Sequence, residues 1–422
     1  WLGLGDDEKT PLQGQRVSVL ELQKTLEPND SVLKSEGFIS PAPWKNEYWP
    51  QAGGYPNHAM QHAELNPNGL KKIWSENIGS GSKDSLPLTA QPVVFNNIIY
   101  TLDTDSHVNA YDAKTGQKLW SNSISPIKSD EENISGGLAV TGSSLYATNG
   151  YDELIAMNPK QGGILWRTKL SAPTRAAPTV LGNSVYVLTL DNHLSAIDAT
   201  TGKKIWAYEG FSEVSSLIGS ASPAADNDIV LAPMSSGEIV ALHAQNGATI
   251  WSDTLAASAQ IGGTAALPDI SGLPVLDKGA VIAASYGGKI AAIDIRSGTR
   301  IWERNIGGAK TPWVAGNMIF FITSNAELVA LGRDNGTIAW VKPLNGYTKD
   351  KNARNALLWN GPILAGDRLI VTDSAESLLE ISPKDGALIR AIDVGSHIAV
   401  PPIVAGGILY LLGNNGTLSA WH

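Results

Sequence analysis

One short phrase recurs along this chain. It reads "DAKTGQKLW" ending at Trp120, "NPKQGGILW" at Trp166, "DATTGKKIW" at Trp206, "HAQNGATIW" at Trp251, "DIRSGTRIW" at Trp302 and "RDNGTIAW" at Trp340. With Trp74, at the end of "PNGLKKIW", the markers lie 46, 46, 40, 45, 51 and 38 residues apart. A further copy, "SPKDGALIR", puts Arg390 at the Trp position, 50 residues after Trp340. Self-similarity at a period of about 40–50 residues restricts the chain to helical arrays or propeller blades.

Strand chemistry separates the two. Each unit holds two β-rich runs divided by a polar turn, as in "SVYVLTLDNHLSAID" (Ser184 to Asp198) and "MIFFITSNAELVAL" (Met318 to Leu331). Runs of β-branched and aromatic residues punctuated by Asn, Asp, Gly and Ser read as hairpins. The repeated Gly supplies the positive φ of a tight turn, and the following Trp offers a large flat face to a neighbouring blade. The seven residues Trp74, Trp120, Trp166, Trp206, Trp251, Trp302 and Trp340 are therefore expected as mortar between blades.

The last unit, "PPIVAGGILYLLGNNGTLSAWH", stops where the others begin their Gly turn, and the missing piece stands at Pro67 to Trp74. An early strand completing the last blade would seal the ring and remove a sheet edge. The expected fold is all-β, an eight-bladed β-propeller closed by an N-terminal strand. Residues 51–422 are assigned to it. Residues 1–50 lack the repeat and are assigned as an extension or tether, with a short helix expected around Val17 to Thr25.

Composition removes several classes of function. A net charge of −9 and the absence of a basic stripe argue against nucleic acid as a partner. With no cysteine there is no disulfide, thiolate metal site or cysteine nucleophile. No apolar run approaches the length of a membrane span. Opening at Trp1 rather than Met is expected of a processed signal peptide or a cloning boundary.

Catalytic and metal motifs are sparse. "HAMQH" spaces His58 and His62 as helical metal ligands, but Ala59 stands where the zincin pattern needs Glu. Prolines and glycines upstream disfavour a helix, so two surface imidazoles are expected. "DTDSHVNAYD" (Asp103 to Asp112) lacks the Gly and Glu of a calcium loop and aligns with a repeat hairpin turn. There is no nucleophile elbow, P-loop or dinucleotide fingerprint. Four long loops follow Trp-ending strands, after Trp120, Trp206, Trp251 and Trp340, and should share one face of the ring. Loops over a rigid scaffold are where binding is expected.

The D-x-x-T-G-x-x-x-W repeat resembles that of the quinoprotein propellers, the pyrroloquinoline quinone (PQQ) dehydrogenases. Those enzymes hold PQQ and calcium in an eight-bladed ring and carry adjacent cysteines, which this chain lacks. From Asn68 to His422 the sequence is more similar to the BamB family of outer-membrane β-barrel assembly factors, cofactor-free propellers. The resemblance is best in "SYGGKIAAIDIRSGTRIWERNIG" (Ser285 to Gly307). The opening "GDDEKTPLQGQRVSVLELQKTLEPND" resembles alphaproteobacterial members, in which a lipidated Cys lies slightly upstream of the equivalent of Trp1.

That resemblance implies a non-catalytic lipoprotein scaffold on the periplasmic face of the outer membrane, monomeric outside its complex and without cofactor or metal. It implies binding to a POTRA domain of BamA and to other subunits of the assembly (BAM) complex, and help in delivering unfolded outer-membrane proteins. Two neighbouring loops carry the family's contact. Here Leu217 and Asp269 match its contact residues, whereas Ser215, Ile218 and Ser271 replace others. The plainer alternative is that these loops are merely long. Two rival functions stay open, a PQQ-dependent dehydrogenase and a propeller for another periplasmic ligand.

Overall fold

The computed structural model describes residues 26–126, 133–211, 221–256, 270–347 and 356–422. They form eight four-stranded antiparallel sheets and one short helix, Ser31–Glu36. Each sheet is a blade. The inner strand is short in every blade but the seventh, as in Val93–Phe95 of blade 1, and the outer strand ends the repeat phrase, as in Lys118–Ser123. The expected eight-bladed propeller is the observed fold. Its closure is also as expected: Lys72–Asn77 lies antiparallel to Thr417–Trp421 as the outer strand of blade 8, with Trp74 opposite Ala420.

The Gly–Trp phrase works between blades. Gly202 has φ +71°, and a Cβ there would lie 2.7 Å from the ring of Trp166 in the preceding blade. The same stacking joins Trp74 to Gly116 across the closure. Only a residue without Cβ can accept both the backbone and the ring. The indole N–H is satisfied across the same joint, Trp74 Nε1 donating to Ala113 O (3.2 Å) and Trp120 Nε1 to Pro159 O (3.1 Å). Tyr410 and Tyr100, in the second strands, donate their hydroxyls to those same two carbonyls. At these two joints, blade 8 to blade 1 and blade 1 to blade 2, a blade grips the next by an apolar face and a shared acceptor.

Within the outer strand pair Trp stands opposite Ala: Trp120 opposite Ala110, Trp206 opposite Ala196, Trp302 opposite Ala292. A register shift follows at the same place in each of these pairs, so the strand is re-aimed as it leaves the turn.

The inner strands leave a row of edge groups facing the ring axis. The stretch 44–63 meets them one blade at a time. Asn46 O accepts from Gly406 N of blade 8, Trp49 exchanges both backbone bonds with Val94 of blade 1, and Pro50 O accepts from Val140 N of blade 2. The Gln51 amide pairs with both backbone groups of Val180 in blade 3. Pro56 O and Asn57 O accept from Ala225 N and Leu276 N of blades 4 and 5. Gln61 O accepts from Trp313 Nε1 of blade 6, and Ala63 pairs with Leu364 of blade 7. The segment makes one circuit of the axis and satisfies edge groups that would otherwise be buried unpaired.

Upstream, residues 26–43 cross blade 6. Asn29 exchanges hydrogen bonds with Ile338, Asp30 caps the helix through Leu33 N (2.7 Å), and Phe38 packs edge-on against Phe320. The helix expected at Val17 to Thr25 lies outside the described residues.

Candidate docking site

The two loops expected to carry the contact leave adjacent blades at one end of the ring. One runs from the outer strand of blade 3 (Lys204–Glu209) to the inner strand of blade 4 (Ala224–Asp226). The other runs from Thr249–Thr254 to Val275–Asp277. Strands in each sheet are antiparallel, so these loops emerge opposite the turns that follow the inner strands. His62 Nε2 accepts from Asp367 N in such a turn, which places His62 toward the other end.

The root of the blade 3–4 loop is set by Asn192, in the turn before the third strand of blade 3. Its backbone takes φ +60°, and its carbonyl accepts from Gly210 N (3.0 Å). Its side-chain amide donates to Phe211 O (2.7 Å) and accepts from Ser235 N in blade 4 (3.1 Å). Asn tolerates this left-handed backbone better than most residues. The outcome is an aromatic ring, Phe211, presented 84% exposed from a pinned backbone.

Beneath the blade 4–5 loop lies a balanced ionic cluster. Asp253 holds Arg300 through both its oxygens (2.7 and 2.8 Å), Arg300 also meets Glu303, and Lys289 Nζ closes on Glu303 at 2.9 Å. The Asp253 carboxylate raises the Arg300 pKa, while Lys289 and Arg300 lower that of Glu303. Two acids meet two bases, so the cluster fixes geometry and adds no local net charge.

Of the residues expected at the contact, Leu217, Ser215, Ile218 and Asp269 lie outside the described residues. Ser271 is described. It is half-buried, and its hydroxyl oxygen is enclosed without a hydrogen bond among the described residues. Asn192 and Phe211 were not singled out in the sequence. Asn192 reads there as one more polar turn residue, and its cross-blade reach leaves no local pattern.

The expectation of surface imidazoles at His58 and His62 is corrected: both side chains are buried, at 4% and 0% exposure. Prolines and glycines do exclude a helix here, but they route the chain along the axis and not over the surface. His58 Nδ1 donates to Pro274 O (2.7 Å), and His62 Nδ1 donates to Pro41 O (2.8 Å). Asp103 sits in a hairpin turn, its Oδ1 accepting from Asp105 N and His107 N.

A PQQ–calcium pair does not fit the described channel. Trp49, Met60 and Ala63 of the N-terminal segment pack there at 1% exposure or less. No three His, Asp or Glu side chains gather as metal ligands among the described residues.

A sequence model of the family described as outer membrane protein assembly factor BamB matches residues 104–342. The chain belongs to the BamB family. It is 26% identical over 350 residues to outer membrane protein assembly factor BamB of Escherichia coli K12, covering 82% of this chain and 87% of that protein. The Moranella endobia factor is 26% identical over 83% of this chain and 89% of its own length. An uncharacterized Rickettsia prowazekii protein is 28% identical over 64% of this chain and 65% of its own. Among solved structures, BamB from Moraxella catarrhalis superposes with a TM-score of 0.70 at 20% identity, covering 84% of this chain and all (100%) of that one. Quinohemoprotein alcohol dehydrogenase from Comamonas testosteroni follows the same fold, with a TM-score of 0.66 at 15% identity over 90% of this chain and 81% of that one.

Proposed function

We propose that this BamB-family propeller is a non-catalytic scaffold of outer-membrane β-barrel assembly. It acts at the periplasmic face of the outer membrane, held by a lipid anchor upstream of residue 1, with the N-terminal stretch as its tether. It docks a POTRA domain of BamA through the blade 3–4 and 4–5 loops and so holds the complex ready for unfolded barrel proteins. The observation that carries this reading is the pair of adjacent long loops on pinned roots, one of them presenting Phe211 to solvent. An exposed aromatic on a rigid base suits a protein anchor, since little conformational freedom is lost on binding. A channel packed with the chain's own residues favours this scaffold over the quinoprotein alternative.

The test is a calorimetric titration with the POTRA fragment of BamA from the same organism, repeated with Leu217→Asp. The expected result is saturable binding that the substitution abolishes. No binding by the intact chain overturns the docking reading.

A further inference from the structure

The two loop roots are held differently. The blade 3–4 root is pinned at the loop end by Asn192. The blade 4–5 root is gripped from the axis by the N-terminal segment. Gln51 and Gly54 close a tight turn by exchanging backbone bonds (2.9 and 3.2 Å), and Gly53 donates to Gln91 Oε1 (3.0 Å). Gly53 has φ +73°, and a Cβ there would meet Leu273 Cδ1 at 2.7 Å and His58 Cδ2 at 2.9 Å. The turn therefore packs directly on Leu273 and on the buried ring of His58.

Four contacts then fix the descending arm of the loop. His58 Nδ1 donates to Pro274 O at 2.7 Å, and Asn57 O accepts from Leu276 N at 2.9 Å. Leu273 N donates to Thr311 Oγ1 at 3.0 Å, and Gly272 lies against the Lys310 backbone. His58 adopts φ +59°, a conformation that a non-glycine residue takes only where its surroundings enforce it. A buried ring in a strained backbone, spent on one carbonyl immediately below a loop, reads as placement of that loop.

We propose that His58 is a positioning residue for docking: from the channel axis it fixes Pro274, at the described root of the blade 4–5 loop. This rests on the docking function proposed above. The N-terminal segment is then part of the docking apparatus.

The test uses the full chain and two substitutions. His58→Gln carries its amide one bond farther out than Nδ1 and takes the donor away from Pro274 O. His58→Asn puts an amide nitrogen where Nδ1 stood and keeps a side chain suited to positive φ. Amide hydrogen exchange is followed at residues 270–276 and, as an internal reference, at residues 221–226. In parallel, the dissociation constant for the BamA POTRA fragment is measured for both variants, the parent and Leu217→Asp. Losing one buried hydrogen bond should speed exchange at 270–276 about tenfold and weaken fragment binding about tenfold in His58→Gln, with His58→Asn recovering most of both.

Unchanged exchange at 270–276 overturns the anchoring. Faster exchange at 221–226 as well makes His58 an ordinary packing residue and also overturns it. If Leu217→Asp abolishes binding while His58→Gln binds like the parent, the docking function stands and this inference fails. If the parent itself does not bind, the docking function fails and the positioning role falls with it.

Discussion

Arg390 and Glu380 stand opposite one another in the outer strand pair of blade 7, where other blades pair Trp with Ala. Glu380 is fully buried and lies between Arg390 Nη1 (2.7 Å) and Arg368 Nε (2.8 Å). Across the joint, Gly69 of the blade 8 closure takes the place of the repeat glycine, a Cβ there meeting Arg390 Nη1 at 2.7 Å. Blade 7 has exchanged the apolar grip for an ionic one. Glu380→Ala alone strands the buried guanidinium of Arg368 and should cost about 3–5 kcal/mol. Replacing all three charges, with Arg368→Met, Glu380→Ala and Arg390→Trp, should leave stability near or above that of the parent. Urea unfolding of both variants decides it, and a triple variant as weak as the single one would show that this joint requires charge.

Adjacent glycines in blade 2 separate backbone need from mere occurrence. Gly162 has φ +75° and lies under Trp120, whereas nothing lies within 4 Å of a Cβ built on Gly163. Gly162→Ala should destabilise by about 2–4 kcal/mol from left-handed strain and overpacking together. Gly163→Ala should stay within about 0.5 kcal/mol. Equal unfolding midpoints for the two would refute the stacking account.

Acid should act on this protein in two separate windows. Burial pushes the His58 pKa down from 6.5 to about 4. The unfolded chain therefore binds this proton first, and the stability that neutral His58 contributes is complete above pH 6.5. It is lost as pH falls toward 4, by about 3 kcal/mol. The exposed turn carboxylates behave differently. Backbone N–H bonds from Thr201 and Ser297 hold Asp198 and Asp294 below their ordinary 3.8, so their contribution is lost only as pH falls below that value. Unfolding measured between pH 7 and pH 3 should show both limbs, and His58→Gln should flatten the upper one alone.

A channel occupied by its own chain should not take a quinone. Adding PQQ with calcium is expected to leave the thermal midpoint unchanged at concentrations that saturate quinoproteins. Ligand at 100 times its dissociation constant would stabilise by about 2.7 kcal/mol, an effect a melting curve detects readily. A concentration-dependent rise in the midpoint would reopen the enzyme reading.

Asn192→Gly isolates the pin beneath Phe211, because glycine keeps the backbone conformation while deleting the amide. Binding of the POTRA fragment should weaken about tenfold, as for loss of about one hydrogen bond's worth of order. The unfolding midpoint should fall only slightly. Parent-like affinity would remove Asn192 from the docking site.

What the sequence made legible is what each blade repeats. Gly202 and Trp206 carry their spacing in the chain itself, and strand edges announce closure through a last unit that stops short. The axial circuit carried no such mark. Most of its bonds run from backbone to backbone between residues far apart in sequence, such as Trp49 with Val94 or Ala63 with Leu364, and backbone groups have no side-chain signature. His58 and His62 were misplaced for the same reason: a stretch without periodicity reads as surface until its partners are known. Asn192 shows the limit at the docking site, where one turn Asn resembles every other until Phe211 and Ser235 are seen around it.

The axial circuit also bears on synthesis. Asn46 is made early, yet its side-chain amide donates to Val404 O, 358 residues later, and the strand holding Trp74 pairs with Thr417–Trp421. Without Thr417–Trp421 the strand holding Trp74 has no partner and blade 8 keeps an open edge. Removing that strand would therefore yield not a slightly weaker ring but an open one.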